Sequence, residues 1–596
     1  IIRRTIRANV HNLIRSKQIA SLVDWFCRRQ DINSIQEKHI LICCNVNCRL
    51  SQISVTGKDR TPAIVSESDL REKFFAPFKE CIKSGALTVM VNSASINGVP
   101  THANAKLLQG WLKEGLNWDG FIVTDYGAIK EMKAHGLGGD DVVTERAMQA
   151  TVDMDMCSEL YIAQLESLLE QKRVTMKQID DACYRILQAK YRLGLFDDPY
   201  RYNDAERGKT ELFKPENREA ARKIAASTFV LLKNDNELLP LEKKGKIALI
   251  GPMADNQSQL RGCWSVPSDH TQYSTIYNVM KQRLAGAAEV RYAEGCHYSY
   301  DPTLEQRFLW QDAPSTRSHQ ELLNEALATA RWADVVVAIL GESKEQTGEA
   351  ASMCDIEMQA SQRDLLEALV KTGKPVVLLL ANGRPMVLKR ESEIVPAILD
   401  IWFPGSEAGD AICDVLFGDV APQGHLTTTF PQSVGQLPIY YNHKNTGRPI
   451  GENDYGKFTS GYLDVTNAPL YPFGWGLTYT TFEMSDIKLS SETLAGNGSI
   501  TATVTLSNTG KREATTIVQL YTHDLAGSIT RPVQELKGFQ HCTLAPGESK
   551  EVTFKVTPDM LKFYNAELKY VNEPGDFDLM IGLNCREVKH AGFTLK

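Results

Sequence analysis

Residues 120–129 read GFIVTDYGAI. An apolar, partly β-branched run ends in a carboxylate, an aromatic ring and a glycine. The run predicts a buried strand, and an ionised carboxylate at its end is costly unless it is paired or put to use. Two readings fit Asp125. Asp favours helix N-caps and a helical pattern follows from Ile129, so it caps a helix; or it carries chemistry. The surrounding chain has to decide.

Upstream, SDLREKFFAPFKECIKSG reads as an amphipathic helix stopped at Gly85, followed by the strand ALTVMVN. KLLQGWLKEGL reads as the next helix, then comes GFIVTD, and VTERAMQAT with VDMDM repeats the pair. Such alternation predicts parallel βα units over residues 55–196. Thr175 and Gln178 fit a capping box opening a helix with Ile179, Cys183, Ile186 and Leu187 on one face, ending near Gly194. A polar linker is expected over 197–220. FVLLKN, KIALIGP, DVVVAILGE, PVVLLLANG and AILDIWFPG then predict a largely parallel, doubly covered sheet over 221–440. After a connecting segment, 441–482, period-two runs such as SITATVTLSNTG, TTIVQLYTHD and KEVTFKVT predict a β-sandwich over 483–596.

Residues 1–54 stand apart. IIRRTIRANVHNLIRSK is basic, and QEKHILICCNVNCRLSQIS has no clean period. The segment reads as a targeting remnant or, preferably, as a stretch foreign to the fold. The chain opens on Ile1 without a signal-peptide pattern, as a processed chain or a fragment would.

Composition excludes several classes. With 596 residues, 43% hydrophobic, 23% charged and a formal net charge of -7, there is no footprint for nucleic acid or an anionic membrane. No apolar run nears the ~20 residues that span a bilayer. Thirteen scattered cysteines suggest buried thiols and not a disulfide framework. Cys27, Cys43, Cys44 and Cys48 crowd together without zinc-site spacing, and no metal is expected. The GxG of GWGLT (474–478) lacks the third glycine and the strand-to-helix setting of a dinucleotide site, and no cofactor is expected.

Carboxylates at strand ends remain: Asp125, Asp153 and Asp155 in VDMDM, Glu342 after DVVVAILG, and Glu349 in the following loop. Two carboxyl groups ~5 Å apart suit retaining glycoside hydrolysis. The alternative for Glu342 and Glu349 is a solvated loop carboxylate. Tyr126 could stack on a sugar's apolar face or pack in the core, and Met90 reads as core.

The longer blocks resemble one family. GALTVMVNSASINGVPTHAN, GFIVTDYGAI, LGESKEQTGEAAS, WFPGSEAGDAICDVLFGDVAPQGHLTTTFPQSVGQLPIYYNHKNTGRP, PFGWGLTYTTF, ELKGFQHCTLAPGESKEVTF and EPGDFDLMIG are similar to glycoside hydrolase family 3. The resemblance runs from about Val55 to Lys596 and is to the bacterial periplasmic β-glucosidase branch. It implies a multi-domain α/β plus β fold: the C-terminal part of a (β/α)8-type barrel (55–196), an α/β sandwich domain (221–440) and a fibronectin type III-like domain (483–596). It implies a retaining exo-acting β-glycosidase of the β-glucosidase type, working on terminal β-D-glucosyl residues by double displacement. The alternatives are a β-xylosidase of the same family and a truncated, inactive member with weak sugar binding. By the same resemblance Asp125 is the nucleophile and Glu349 the acid/base, with Glu342 the weaker candidate, while Met90 and Tyr126 line the sugar subsite. It implies no cofactor, a small oligosaccharide or glycoside as substrate, and a periplasmic or secreted location; a homodimer is compatible with it.

Three departures accompany it. The family's Lys-His pair should precede GKDRTP (57–62), but ILICCNVNCRL stands there and Lys38-His39 lies too far upstream. Met353 replaces the arginine of a GEASSR-like motif, which is expected to weaken structure around Glu349. Finally, a full barrel takes ~200 residues or more, whereas about 140 lie between Val55 and Leu193. Such a part-barrel should expose sheet edges and apolar faces, and fold poorly or recruit a cover.

Overall fold

The computed structural model describes residues 55–265, 269–310 and 312–596, with the backbone of Cys43–Asn45. The chain divides into two compact units, Ile1–Glu211 and Leu212–Lys596.

In the first unit the strands Cys43–Asn45, Thr88–Met90 and Phe121–Val123 form a parallel sheet in that order. A parallel bridge from Val123 to Met154 extends it, the one trace of a strand in VDMDM. Among the described residues these are the parallel βα units that the alternation predicts. Cys43–Asn45 corrects the expectation that all of 1–54 is foreign to the fold: its backbone pairs with Thr88–Met90, whose edge offers N–H and C=O groups in need of partners. Lys38-His39, Cys27 and Cys48 lie outside the described residues.

The helix expected from Ser68 onward is broken into Glu67–Asp69, a π-type turn Leu70–Phe74, and Ala76–Lys83. Pro77 explains the break, since proline is tolerated in a helix's first turn and not in its interior. Helix Met176–Arg192 opens with the predicted capping box at Thr175 and Gln178. Its buried face is Ala182, Ile186 and Ala189, however, and Leu187 is 40% exposed. Of the expected face, Ile186 is buried, Ile179 packs against the core and Cys183 is half-buried; the small Ala182 and Ala189 complete the buried face where Leu187 does not.

In the second unit six strands are ordered Val230–Asn234, Ala397–Asp400, Val376–Ala381, Val335–Gly341, Gly245–Ile250, Ala288–Ala293. All neighbours are parallel except the first pair. Val337 and Ile339 join the core on one face, and Val336, Ala338 and Leu340 the core on the other. Burial on both faces makes these strands read as unbroken apolar runs. Ala288–Ala293 escapes sequence reading because Glu289 and Arg291 face solvent at the sheet's edge. Helix Pro215–Thr228 begins inside the stretch expected to be linker, its proline in the first turn.

The same unit carries the predicted sandwich. One sheet pairs Ile500–Asn508 with Ser549–Val556; the other runs through Val588–Leu595, Gly575–Gly582, Ala514–Asp524 and Glu535–Leu544. Strict alternation of buried and half-buried residues along Ile500–Asn508 fits one face on the core. Cysteine burial is mixed: Cys296, Cys413, Cys542 and Cys585 are buried, whereas Cys81, Cys157, Cys263 and Cys354 are exposed, which corrects the general expectation of buried thiols.

Candidate active site

The strand Phe121–Val123 is fully buried, and Thr124 beyond it still belongs to the core. The Thr124 N–H donates to the Met154 carbonyl (3.0 Å), and the Met156 N–H donates to its hydroxyl (2.9 Å). Asp125 is therefore held at the carboxyl end of the strand, where a parallel barrel places its ligands. Its side chain does not cap the next helix. Helix Ala128–Glu131 has Gly127 at its N-cap, at φ 70°, with no side-chain cap bond. The carboxylate accepts from the Tyr126 N–H at 2.7 Å and lies 3.9 Å from a guanidinium nitrogen of Arg60. Arg60 also donates to Glu131 at 3.1 Å. Sequence reading missed this arginine, although the GKDRTP block that carries it was visible.

Tyr126 is 66% exposed, which removes the core-packing alternative. Met90 sits beside Val123 in register and is half-buried against Phe121, Val123 and Met154. The first unit thus has Met90 and Asp125 at the carboxyl ends of two neighbouring parallel strands.

The other two carboxylates of this region are structural. Asp153, 1% exposed, accepts from Lys113 Nζ (2.6 Å), Arg185 Nη1 (2.7 Å) and the Ile122 N–H (2.8 Å). Burial pushes the Asp153 carboxyl up and the Lys113 ammonium down to about 8, while their mutual attraction opposes both shifts. The cluster ties helices Lys106–Gly115 and Met176–Arg192 to the strand that carries Asp125. Asp155 accepts from the Ser158 hydroxyl and the Leu160 N–H and holds the start of helix Leu160–Glu170.

In the second unit the loop after strand Val335–Gly341 has a clamped stem and an exposed tip. Glu342 is buried, 2.7 Å from Arg384 Nε, and accepts from the Gly383 N–H at 3.1 Å. Burial pushes the Glu342 carboxyl up above the usual carboxylate range, with Arg384 opposing. A latched, enclosed carboxylate of this kind fits poorly as a proton donor to an incoming substrate. Ser343 donates to the Phe308 carbonyl (2.6 Å) and forms a capping box with Gln346. Buried Lys344 pairs with Asp312 at 3.0 Å. Glu349, in contrast, is exposed, between Gly348 (φ 98°) and Ala350 (φ 59°). Met353 is half-buried against the apolar core, so this side chain anchors the loop by packing. Among the described residues no group of three or more His, Cys, Asp or Glu side chains is placed to hold a metal ion.

Comparison with known proteins gives three family matches. Residues 52–189 match the Glycosyl hydrolase family 3 N terminal domain, 229–479 the Glycosyl hydrolase family 3 C-terminal domain, and 516–585 the Fibronectin type III-like domain. The chain is 42% identical to a periplasmic beta-glucosidase of Salmonella typhimurium over 546 residues, 90% of this chain and 71% of that protein. It is 36% identical to a beta-xylosidase of Formosa agariphila, over 89% of this chain and 72% of the other. Its fold superposes on the crystal structure of a beta-glucosidase from Listeria innocua in complex with isofagomine, with a TM-score of 0.86, 32% identity, and 95% of this chain and 76% of that one covered.

Proposed function

The chain belongs to glycosyl hydrolase family 3, and we propose that it is a retaining, exo-acting β-glucosidase that removes terminal β-D-glucosyl residues from small oligosaccharides or glycosides. The observation that carries this reading is Asp125, presented at the end of a buried parallel strand beside the exposed Tyr126 ring, in a chain 42% identical to a periplasmic beta-glucosidase.

In this reading the Asp125 carboxylate attacks the anomeric carbon and forms a glycosyl ester. Glu349 protonates the departing glycosidic oxygen, then takes a proton from the water that hydrolyses the ester. The solvent-reaching position of Glu349 suits a group that must meet both a leaving aglycone and a water; the enclosure of Glu342 does not. Tyr126 offers a ring face to the sugar's C–H surface, and Met90 an apolar contact at the strand end. The chain's own carboxyl groups supply each proton transfer of the reaction.

A second reading, β-xylosidase, is favoured by the Formosa agariphila relative. It keeps the same two carboxyl groups and differs in how the subsite treats the sugar's 5-hydroxymethyl group. Rates on 4-nitrophenyl β-glucoside and β-xyloside separate the two. Asp125→Asn is expected to lower kcat by at least about 1,000-fold on the preferred substrate, as loss of a nucleophile that acts as a unit with its partner does. A folded parent chain without turnover on either substrate contradicts both readings.

A further inference from the structure

Arg384 lies three residues past the end of strand Val376–Ala381, in a different loop from Glu349. Its guanidinium reaches across to three groups: the Glu342 carboxylate at 2.7 Å, the Gln346 carbonyl, and the Ala351 carbonyl at 2.7 Å. The two carbonyls bracket the tip, one on each side of Glu349. We propose that Arg384 is a positioning residue for Glu349, holding the exposed tip in one conformation by bridging both of its flanks while Glu342 anchors the guanidinium. The proposal rests on the reading of Glu349 as acid/base.

The backbone of the tip needs such a tie. Ala350 is in the left-handed region, which is strained for a residue with a Cβ. Gly348 is left-handed as well, and a Cβ there would lie 2.4 Å from Cys263 Sγ. A conformation of this kind persists when its surroundings over-determine it. The Lys344–Asp312 pair and the Ser343–Gln346 box fix the stem up to residue 346, and Arg384 extends the hold to Ala351. Met353, where the family pattern has an arginine, packs into the core, so charged anchoring of the tip comes from the neighbouring loop. The role also accounts for Glu342: this buried carboxylate at a strand end fixes the cation that fixes the loop.

The test compares kcat/KM, which reports the first chemical step, on phenyl β-glucoside and 2,4-dinitrophenyl β-glucoside. Phenolate needs a proton from the enzyme to leave; dinitrophenolate does not. Arg384→Met is expected to lose about 100-fold on the phenyl substrate and less than about 5-fold on the dinitrophenyl one, because a general acid is worth 10²–10⁴-fold and only where its proton is needed. Arg384→Lys keeps a cation for Glu342 but cannot serve both carbonyls as a fork does, and should fall between. Glu349→Gln provides the reference contrast. If Glu349→Gln shows the leaving-group contrast and Arg384→Met loses both substrates equally, or neither, the Arg384 role is overturned while the acid/base reading stands. If Glu349→Gln shows no contrast, the reading beneath falls and this role with it. Amide hydrogen exchange supplies a readout independent of turnover: residues 346–352 should exchange faster in Arg384→Met, with strand Val335–Gly341 unchanged. Equal exchange in that loop overturns the proposal.

Discussion

Asp125 and Asp153 end adjacent segments of one sheet and resemble each other in sequence, yet their surroundings divide their roles. Asp153 has two cations and a backbone N–H around it, at 1% exposure, and nothing left for a substrate. The Asp125 carboxylate accepts from the Tyr126 N–H and lies 3.9 Å from an Arg60 guanidinium nitrogen, just past the end of a strand whose parallel neighbour ends in Met90. The difference predicts opposite phenotypes. Asp153→Ala leaves the Lys113 ammonium buried without its carboxylate and should destabilise the first unit by about 3 kcal/mol or more, read as a lower urea midpoint. Asp125→Asn should leave that midpoint within about 0.5 kcal/mol of the parent, as substitutions away from core features do, while removing activity. A large stability loss in Asp125→Asn would place it among the structural carboxylates. Residue pattern without the family resemblance did not separate the two, because both are Asp at predicted strand ends; the separating groups, Lys113 and Arg185, come from helices distant in the chain.

At the scale of elements, most of the secondary structure was legible because its causes are local. The capping box at Thr175, the continuous apolar runs of the doubly covered sheet and the alternation in Ile500–Asn508 all appear where the pattern puts them. What was illegible depends on tertiary contact. The edge strand Ala288–Ala293 carries too many charges to announce itself, and the buried face of helix Met176–Arg192 is set by two alanines. That helix gives a direct check. Thr175→Ala should cost about 1 kcal/mol through the lost cap, whereas Leu187→Ala, at a half-open site, should cost well under the ~2–5 kcal/mol of a core leucine. A Leu187→Ala loss in the core range would restore the face expected from sequence. The loop that carries Glu349 was legible as the exit from an apolar strand, family resemblance ranked Glu349 above Glu342, and the loop's hold on the fold, Arg384, lies in the next loop of the sheet.

For the whole molecule, pH acts through groups that folding buries. The His102 imidazole is 1% exposed, and burial, with a smaller repulsion from His135, holds it down to about 3, against 6.5 for a free imidazole. Between those values the unfolded chain binds a proton that the folded chain refuses. Stability therefore falls as pH drops below about 6.5, with a slope of up to about 1.4 kcal/mol per pH unit from this group. His102→Gln should flatten that part of the stability curve between pH 6.5 and 4, measured by urea unfolding; a parent and variant with the same slope would assign the acid sensitivity to other groups. The family, the multi-domain fold and the class of reaction follow from long sequence blocks and from the fold itself. The role of each carboxylate rests on chemistry, and chemistry can be trapped.

A 2-deoxy-2-fluoro-β-glucoside with a dinitrophenolate leaving group forms the glycosyl ester quickly and hydrolyses it slowly, so peptide mapping of the treated chain reads the nucleophile directly. The account predicts a single fluoroglucosyl adduct on the peptide that contains GFIVTDYGAI, located at Asp125 and absent from Asp125→Asn. An adduct on Asp153, Glu342 or any other carboxylate, or continued turnover of the substrate with no adduct formed, would contradict it.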